Sequence, residues 1–186
     1  MRKLLPPKIE IVHPQILALK HQLDRVIVEH DAVKIRLILA ILAGQHVLIE
    51  STPGLGKTML VKTLQNCIGG TTSARVQGTP DLTPNAVLGF QVYDPKLGEF
   101  VTRSGPLVGV NFLLYDEANR AAPRTNSATL QAMQEKQVTI GDVTYGLEDL
   151  FLVMATINPI EQEGTYTLPE AMLDRFAFKL EMKNIS

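Results

Sequence analysis

The stretch Glu50-Ser51-Thr52-Pro53-Gly54-Leu55-Gly56-Lys57-Thr58 constrains this chain more than any other. An apolar run, His46-Val47-Leu48-Ile49, precedes it, and a helical pattern, Met59-Leu60-Val61-Lys62-Thr63-Leu64, follows it. Strand, glycine loop, Gly-Lys-Thr and helix is the layout of a phosphate-binding P-loop. Glycines let backbone N–H groups turn inward around an anion, and the new helix aims its positive end at the same point. Lys57 adds a full charge for the β- and γ-phosphates, and Thr58 offers a hydroxyl to Mg2+. The strict pattern has Gly five residues before Gly56, where this chain has Ser51. A Gly-rich turn capping a helix is the simpler alternative, but the context agrees with a nucleotide site on both sides. The candidate nucleotide contacts are Ser51, Thr52, Pro53, Gly54, Leu55, Gly56, Lys57, Thr58 and Met59.

A chain of 186 residues is one domain with at most a short appendage. Its 18 basic and 19 acidic residues leave a net charge of −1, which calls for neither nucleic acid nor an anionic membrane. The single cysteine, Cys67, excludes an internal disulfide and suits a reducing compartment. The start, Met1 to Pro7, lacks the apolar stretch of a signal peptide, and the run from Ile35 to Ala43 is too short to span a bilayer. The expectation is a soluble cytoplasmic protein.

Along the chain, Pro14 opens a helix carrying Ile16, Leu19, Leu23 and Val26 at helical spacing. Asp31 reads as the N-cap of a second helix ending at Gly44, so apolar throughout that a place inside the core is expected. Strands are expected at Ser73–Gln77, Val110–Tyr115, Phe151–Ile157 and Phe176–Met182, with short helices near Asn85–Leu88 and Pro169–Asp174 and a longer one over Arg124–Gln137. Two hairpins are legible. One spans 91–102, and the other turns at Gly141-Asp142 between Val138-Thr139-Ile140 and Val143-Thr144-Tyr145. Almost wholly apolar strands alternating with helices argue a parallel sheet covered on both faces. Ligands in such sheets bind beyond the carboxyl ends of the strands.

Three further groups follow strand ends and can converge there. Asp116 ends an apolar strand, the Walker B arrangement, and can hold Mg2+ opposite Thr58. Glu117 follows at once and is suited to orient and partly deprotonate an attacking water. Asn158 can bridge that water and a phosphate oxygen, although Asn-Pro alone is a turn signal. Arg175, in Leu173-Asp174-Arg175-Phe176, can reach a neighbouring subunit's nucleotide or simply pair with Asp174 or Glu170. His13, His21, His30 and His46 lack metal-ligand spacing, and the aromatic residues form no stacking platform for single strands.

With these residues in view, the chain resembles the MoxR family of AAA+ ATPases. The resemblance rests on Thr52–Thr58, Thr79-Pro80-Asp81-Leu82, Asp116-Glu117-Ala118-Asn119-Arg120-Ala121 and Leu130–Thr139. Its most specific part runs from Asn158 to Tyr166 and on through Leu168-Pro169-Glu170-Ala171 to Phe176. It implies a P-loop AAA+ αβα core with a five-stranded parallel sheet and two inserted β-hairpins, over residues 26–186, behind an N-terminal extension with a helix at 1–25. It implies ATP with Mg2+, Asn158 as sensor 1 and Arg175 as the arginine finger. It also implies a homo-hexameric ring, chaperone-like remodelling of a client and a partner with a von Willebrand factor A domain.

The chain departs from the family at Ser51 for Gly, at Glu29-His30 for Gly-Gln, at Gly78 for a bulky residue and at Tyr115 for a small one. It stops at Ser186, so the family's α-helical lid, with its sensor 2 arginine, is expected to be missing. Two expectations therefore compete: an ATP-hydrolysing core, and a lidless module that binds nucleotide weakly or only serves interaction. A chelatase-type ATPase subunit is a third, disfavoured by the Glu161–Tyr166 segment.

Overall fold

The computed structural model describes residues 14–27, 30–51, 54–158 and 165–182. Five strands form one sheet in the order β2-β5-β8-β1-β9. They are β1 (His46–Ser51), β2 (Ser73–Gln77), β5 (Phe112–Asp116), β8 (Leu152–Ile157) and β9 (Phe176–Met182). Every neighbouring pair is parallel. The helices are α1 (Pro14–Val26), α2 (Asp31–Ala43), α3 (Lys57–Cys67), α4 (Pro84–Leu88), α5 (Pro123–Glu135) and α6 (Glu170–Leu173). Two antiparallel hairpins stand apart from the sheet: β3 (Gly89–Asp94) with β4 (Glu99–Ser104), and β6 (Gln137–Ile140) with β7 (Val143–Gly146).

The central strands are apolar without alternation because both of their faces are covered. Successive side chains still point to opposite sides. Val47 and Ile49, Phe112 and Leu114, and Leu152 and Met154 enter one core with Leu23, Leu37 and Leu60 of the first three helices. Leu48, Leu113, Tyr115, Val153 and Ala155 enter the opposite core with Val87, Ala132 and Met133 of α4 and α5. Fully burying one such Leu, Ile or Val contributes roughly 1.5–3 kcal/mol relative to exposure.

The structure corrects three local expectations. Asp31 is not the N-cap of α2; His30 is, with φ 55 and no side-chain capping bond. The Asp31 carboxylate pairs instead with Lys34 Nζ at 2.7 Å. Nor does α2 lie wholly inside: it buries Val33, Leu37, Ile38 and Ala40 but leaves Ile35, Leu39 and Leu42 45%, 47% and 60% exposed. One face packs on α1, β1 and β9, and nothing among the described residues covers the other. The strand expected from Val110 begins at Phe112, because Asn111 turns its side chain to tie neighbouring loops, accepting from Thr72 N–H at 2.9 Å and donating to Leu150 C=O at 3.0 Å.

Lys34 is buried yet charged. Burial alone would lower its pKa, but Asp24 and Asp31 outweigh that and raise it. Its ammonium lies 2.6 Å from Asp24 Oδ1 and donates to Ile27 C=O at 3.2 Å, which anchors α1 to α2.

Candidate nucleotide site

The ends of β1, β5 and β8 share one edge of the sheet. Registers Glu50 to Ile157 and Tyr115 to Ala155 put Ser51, Asp116 and Asn158 at that edge, after strands that run the same way. β1 leads through the loop to α3, whose N-cap Gly56 has φ 75 and whose loop residue Gly54 has φ 88. Both values are left-handed and favour glycine. The first turn of α3 carries the N–H groups of Lys57, Thr58 and Met59, which have no acceptor one turn earlier in the helix. Thr52 and Pro53 lie outside the described residues.

Ser51 occupies the last position of β1, where it pairs with Met182, and its φ is not positive. A side chain is therefore tolerated where the strict motif has glycine. Its hydroxyl oxygen is buried and has no hydrogen-bond partner among the described residues. An orphaned buried oxygen at the mouth of a glycine loop is the kind of group that a ligand or water satisfies.

Asp116 is the electrostatic centre. Its Oδ1 accepts from Thr156 Oγ1 at 2.6 Å and lies 3.2 Å from Lys57 Nζ, while its Oδ2 accepts from Arg75 Nη2 at 2.7 Å. Burial pushes the carboxyl upward, but the Thr156 and Arg75 hydrogen bonds and the Lys57 charge outweigh it and hold the pKa below the usual carboxylate range. An ionised carboxylate 3.2 Å from Lys57, whose neighbour Thr58 carries a hydroxyl on the same first turn of α3, offers oxygen donors of the kind that suit Mg2+. Around Gly54 and Gly56 an added Cβ would meet nothing within 4 Å, so left-handed φ rather than crowding favours glycine there.

Glu117 follows with φ 52, a left-handed conformation that costs a non-glycine residue about 1–3 kcal/mol. Three bonds hold it. Its N–H donates to Thr156 Oγ1 at 2.9 Å, its C=O accepts from Arg120 N–H at 2.9 Å, and its carboxylate meets Arg120 Nη1 at 2.9 Å. Gly78 at the end of β2 lies so close that a Cβ there would sit 2.2 Å from the Glu117 carbonyl oxygen.

The remaining expected residues are placed as follows. Asn158 directly follows β8, half-buried. Leu55 packs against the core on the α1–α3 side, and the Met59 side chain is 54% exposed on α3. Arg175 is exposed between α6 and β9; it pairs with neither Asp174 nor Glu170, and with the Gln134 amide assigned oxygen-first from its donors, Arg175 Nη2 and Nε donate to that oxygen at 2.7 and 2.8 Å. It is not brought to the Lys57–Asp116 pair. Residues 159–164, most of the specific segment after Asn158, lie outside the described residues.

Sequence reasoning missed Arg75, Arg120 and Thr156. Thr156 left a trace, being the polar side chain near the end of the otherwise apolar run Leu152–Ile157. Arg75 and Arg120 left none, since their roles depend on strand order and on the tight turn over Ala118–Arg120. His46 is structural: its Nδ1 accepts from Val153 N–H at 3.1 Å, and its ring meets Phe151 edge-on. No group of three or more His, Cys, Asp or Glu side chains placed to hold a metal ion occurs among the described residues, and none of the described helices is long and apolar enough to cross a membrane.

Residues 46–178 match the model of the ATPase family associated with various cellular activities (AAA). The chain is 49% identical over 173 residues to the protein YeaC of Bacillus subtilis (strain 168), covering 93% of this chain and 53% of that one. It is 47% identical over 161 residues to "Chaperone MoxR1" of Mycobacterium tuberculosis, covering 87% and 42%. The crystal structure of a Cytophaga hutchinsonii protein described as a candidate ATPase superposes with a TM-score of 0.77 at 42% identity, covering 92% of this chain and 54% of that one. The chain thus spans about half the length of these relatives.

Proposed function

The chain belongs to the AAA ATPase family, in its MoxR group, and from that membership we propose that it binds ATP with Mg2+ and hydrolyses it to ADP and phosphate. The observation that carries this reading is Asp116, an ionised carboxylate held between Lys57 and Thr156 at the mouth of the glycine loop. In this reading the loop and the first turn of α3, Ser51 to Met59, cradle the phosphate chain with backbone N–H groups. Lys57 turns from Asp116 to the β- and γ-phosphates. Thr58 and Asp116 hold the divalent cation. When bound, Mg2+ neutralises charge that develops on the phosphate oxygens. Glu117 orients the attacking water and accepts its proton, and Asn158 fixes the water against the γ-phosphate.

Arg175 acts outside its own chain's site. It is exposed and lies away from Asp116, which suits an arginine finger offered to the next subunit of a homo-hexameric ring. Residues 26–186 are assigned to the ATPase core and residues 1–25 to an extension, of which residues 14–25 pack onto that core through Leu23. The work driven by hydrolysis is chaperone-like remodelling or maturation of a partner complex, with a von Willebrand factor A domain protein as partner. The relative named as a chaperone supports the chaperone-like role. The free Cys67 suits a cytoplasmic location.

Calorimetric titration with ATP in Mg2+ tests the binding step. Affinity in the range of roughly 1 μM to 1 mM is expected. No heat of binding at millimolar nucleotide contradicts the reading.

A further inference from the structure

Thr156 is fully buried, at 0% exposure, near the carboxyl end of β8. Its single hydroxyl makes two bonds of opposite sense. The Asp116 carboxylate is ionised and can only accept, so the hydroxyl proton is committed to Oδ1 at 2.6 Å. The lone pairs of the same oxygen are then left for an N–H, and Glu117 supplies it at 2.9 Å. One oxygen on β8 thereby ties the side chain of Asp116 to the backbone of Glu117, two residues before Asn158.

We infer that Thr156 is a positioning residue that couples the cation-side carboxylate, Asp116, to the strained backbone of Glu117. The inference rests on the proposed ATPase reading and adds to it a role for a residue that touches neither nucleotide nor water. Its physical basis is the number of other partners each group has. Asp116 Oδ1 is shared between Thr156 and Lys57, and Lys57 leaves when a phosphate arrives. Thr156 is then the protein donor that still fixes the direction of that oxygen. Glu117 N–H is held by Thr156 at a residue whose φ of 52 is unfavourable without restraint. Removing the hydroxyl releases both groups together. β-Branching adds to the effect, because it restricts the side-chain rotation that aims the oxygen.

The test compares wild-type protein with Thr156→Val, which keeps the shape and removes the hydroxyl, and Thr156→Ser, which keeps the hydroxyl. Two readouts separate positioning from packing. The first is affinity for a non-hydrolysable ATP analogue with Mg2+ and with EDTA. Thr156→Val should lose much of the Mg2+-dependent gain and keep the affinity seen in EDTA. The second is steady-state ATP hydrolysis, where kcat at saturating ATP and Mg2+ should fall roughly 10- to 100-fold, as expected for a misplaced catalytic group, and KM should rise in step with the weaker Mg2+-dependent binding. Thr156→Ser should restore most of both. If Thr156→Val fails to fold, as its melting curve would reveal, Thr156→Ala takes its place.

A wild-type protein that neither binds nor hydrolyses ATP overturns the reading of the whole site. A wild-type protein that does both while Thr156→Val matches it overturns the role of Thr156 alone. Losses shared equally by the Val and Ser variants, in step with their melting temperatures, mark a packing role and also overturn it.

Discussion

The Lys57 ammonium lies 3.2 Å from Asp116 Oδ1, with both side chains only 10% exposed. In the proposed site, the lysine assigned to the phosphates is therefore paired with the carboxylate assigned to the cation. Binding of a phosphate chain must open this pair, and the carboxylate keeps Thr156 and Arg75 when it does. Lys57→Ala should accordingly leave the protein folded, because Asp116 does not become an orphaned buried charge. The variant should lose nucleotide binding while its melting temperature changes by a few degrees at most, about 2–4 °C per kcal/mol for a chain of this size. A collapse of the fold in Lys57→Ala would contradict this division of roles.

Tyr115 is fully buried, and its hydroxyl donates to Asn126 Oδ1 at 2.7 Å. Asn126, itself buried, donates through Nδ2 to the carbonyls of Ala118 and Ala121 at 3.0 and 3.3 Å. The large residue at 115 thus ties β5 to α5 and to the turn after Glu117. Tyr115→Phe leaves the Asn126 oxygen without its donor and should cost about 1–3 kcal/mol. Urea unfolding measures it, and an unchanged midpoint would show that the oxygen finds another partner.

Gly78 has no room for a side chain, since a Cβ would lie 2.2 Å from Glu117 O and 2.9 Å from Glu117 C. Both atoms are backbone and cannot swing aside. Gly78→Ala should destabilise by about 1–3 kcal/mol, the usual cost of overpacking. Because the collision falls on Glu117, ATP hydrolysis should drop more than ATP binding. Thermal melting and parallel binding and turnover assays would check both halves. Equal losses in binding and turnover would place the clash elsewhere.

Burial pulls the His46 pKa from 6.5 down to about 4, and the nearby Lys136 charge adds to the effect. The neutral ring is the form that accepts from Val153 N–H. A depressed folded-state pKa stabilises the fold fully above 6.5, and that contribution is lost as pH falls toward about 4. That lowering corresponds to at most roughly 3 kcal/mol. Urea midpoints should therefore be flat above pH 7 and fall between pH 6.5 and 4, and His46→Gln should flatten that fall. Asp116, also depressed but from 3.8, contributes at lower pH. The same slope in both proteins would rule His46 out as its source.

Much of this architecture was legible in local pattern. The apolar runs ending at Asp116 and Ile157, the Gly56-Lys57-Thr58 turn and both hairpins are short-range signals, and a parallel sheet follows from them, while its five strands followed from the family resemblance. The expectation of a core-buried α2 failed because apolar content does not reveal which face lacks a neighbour: Ile35, Leu39 and Leu42 repeat at helical spacing on the outward side. The partners of Asp116 were illegible for another reason. Arg75 and Thr156 come from the two strands flanking β5, and that order is a property of the sheet rather than of any segment. Ser51 looked like a flaw in the motif, and the structure resolves it as the strand's last residue with an unsatisfied hydroxyl.

The central claim is that Glu117, in the site organised by Asp116 and Lys57, acts on the water that attacks ATP. Phosphate release with Mg2+ should be measurable for the wild-type protein at high concentration. In Glu117→Gln it should fall by about 100- to 10,000-fold, the usual contribution of a general base, while calorimetry shows ATP still bound. Equal phosphate release by the two proteins, or none from either with ATP bound, would contradict the account.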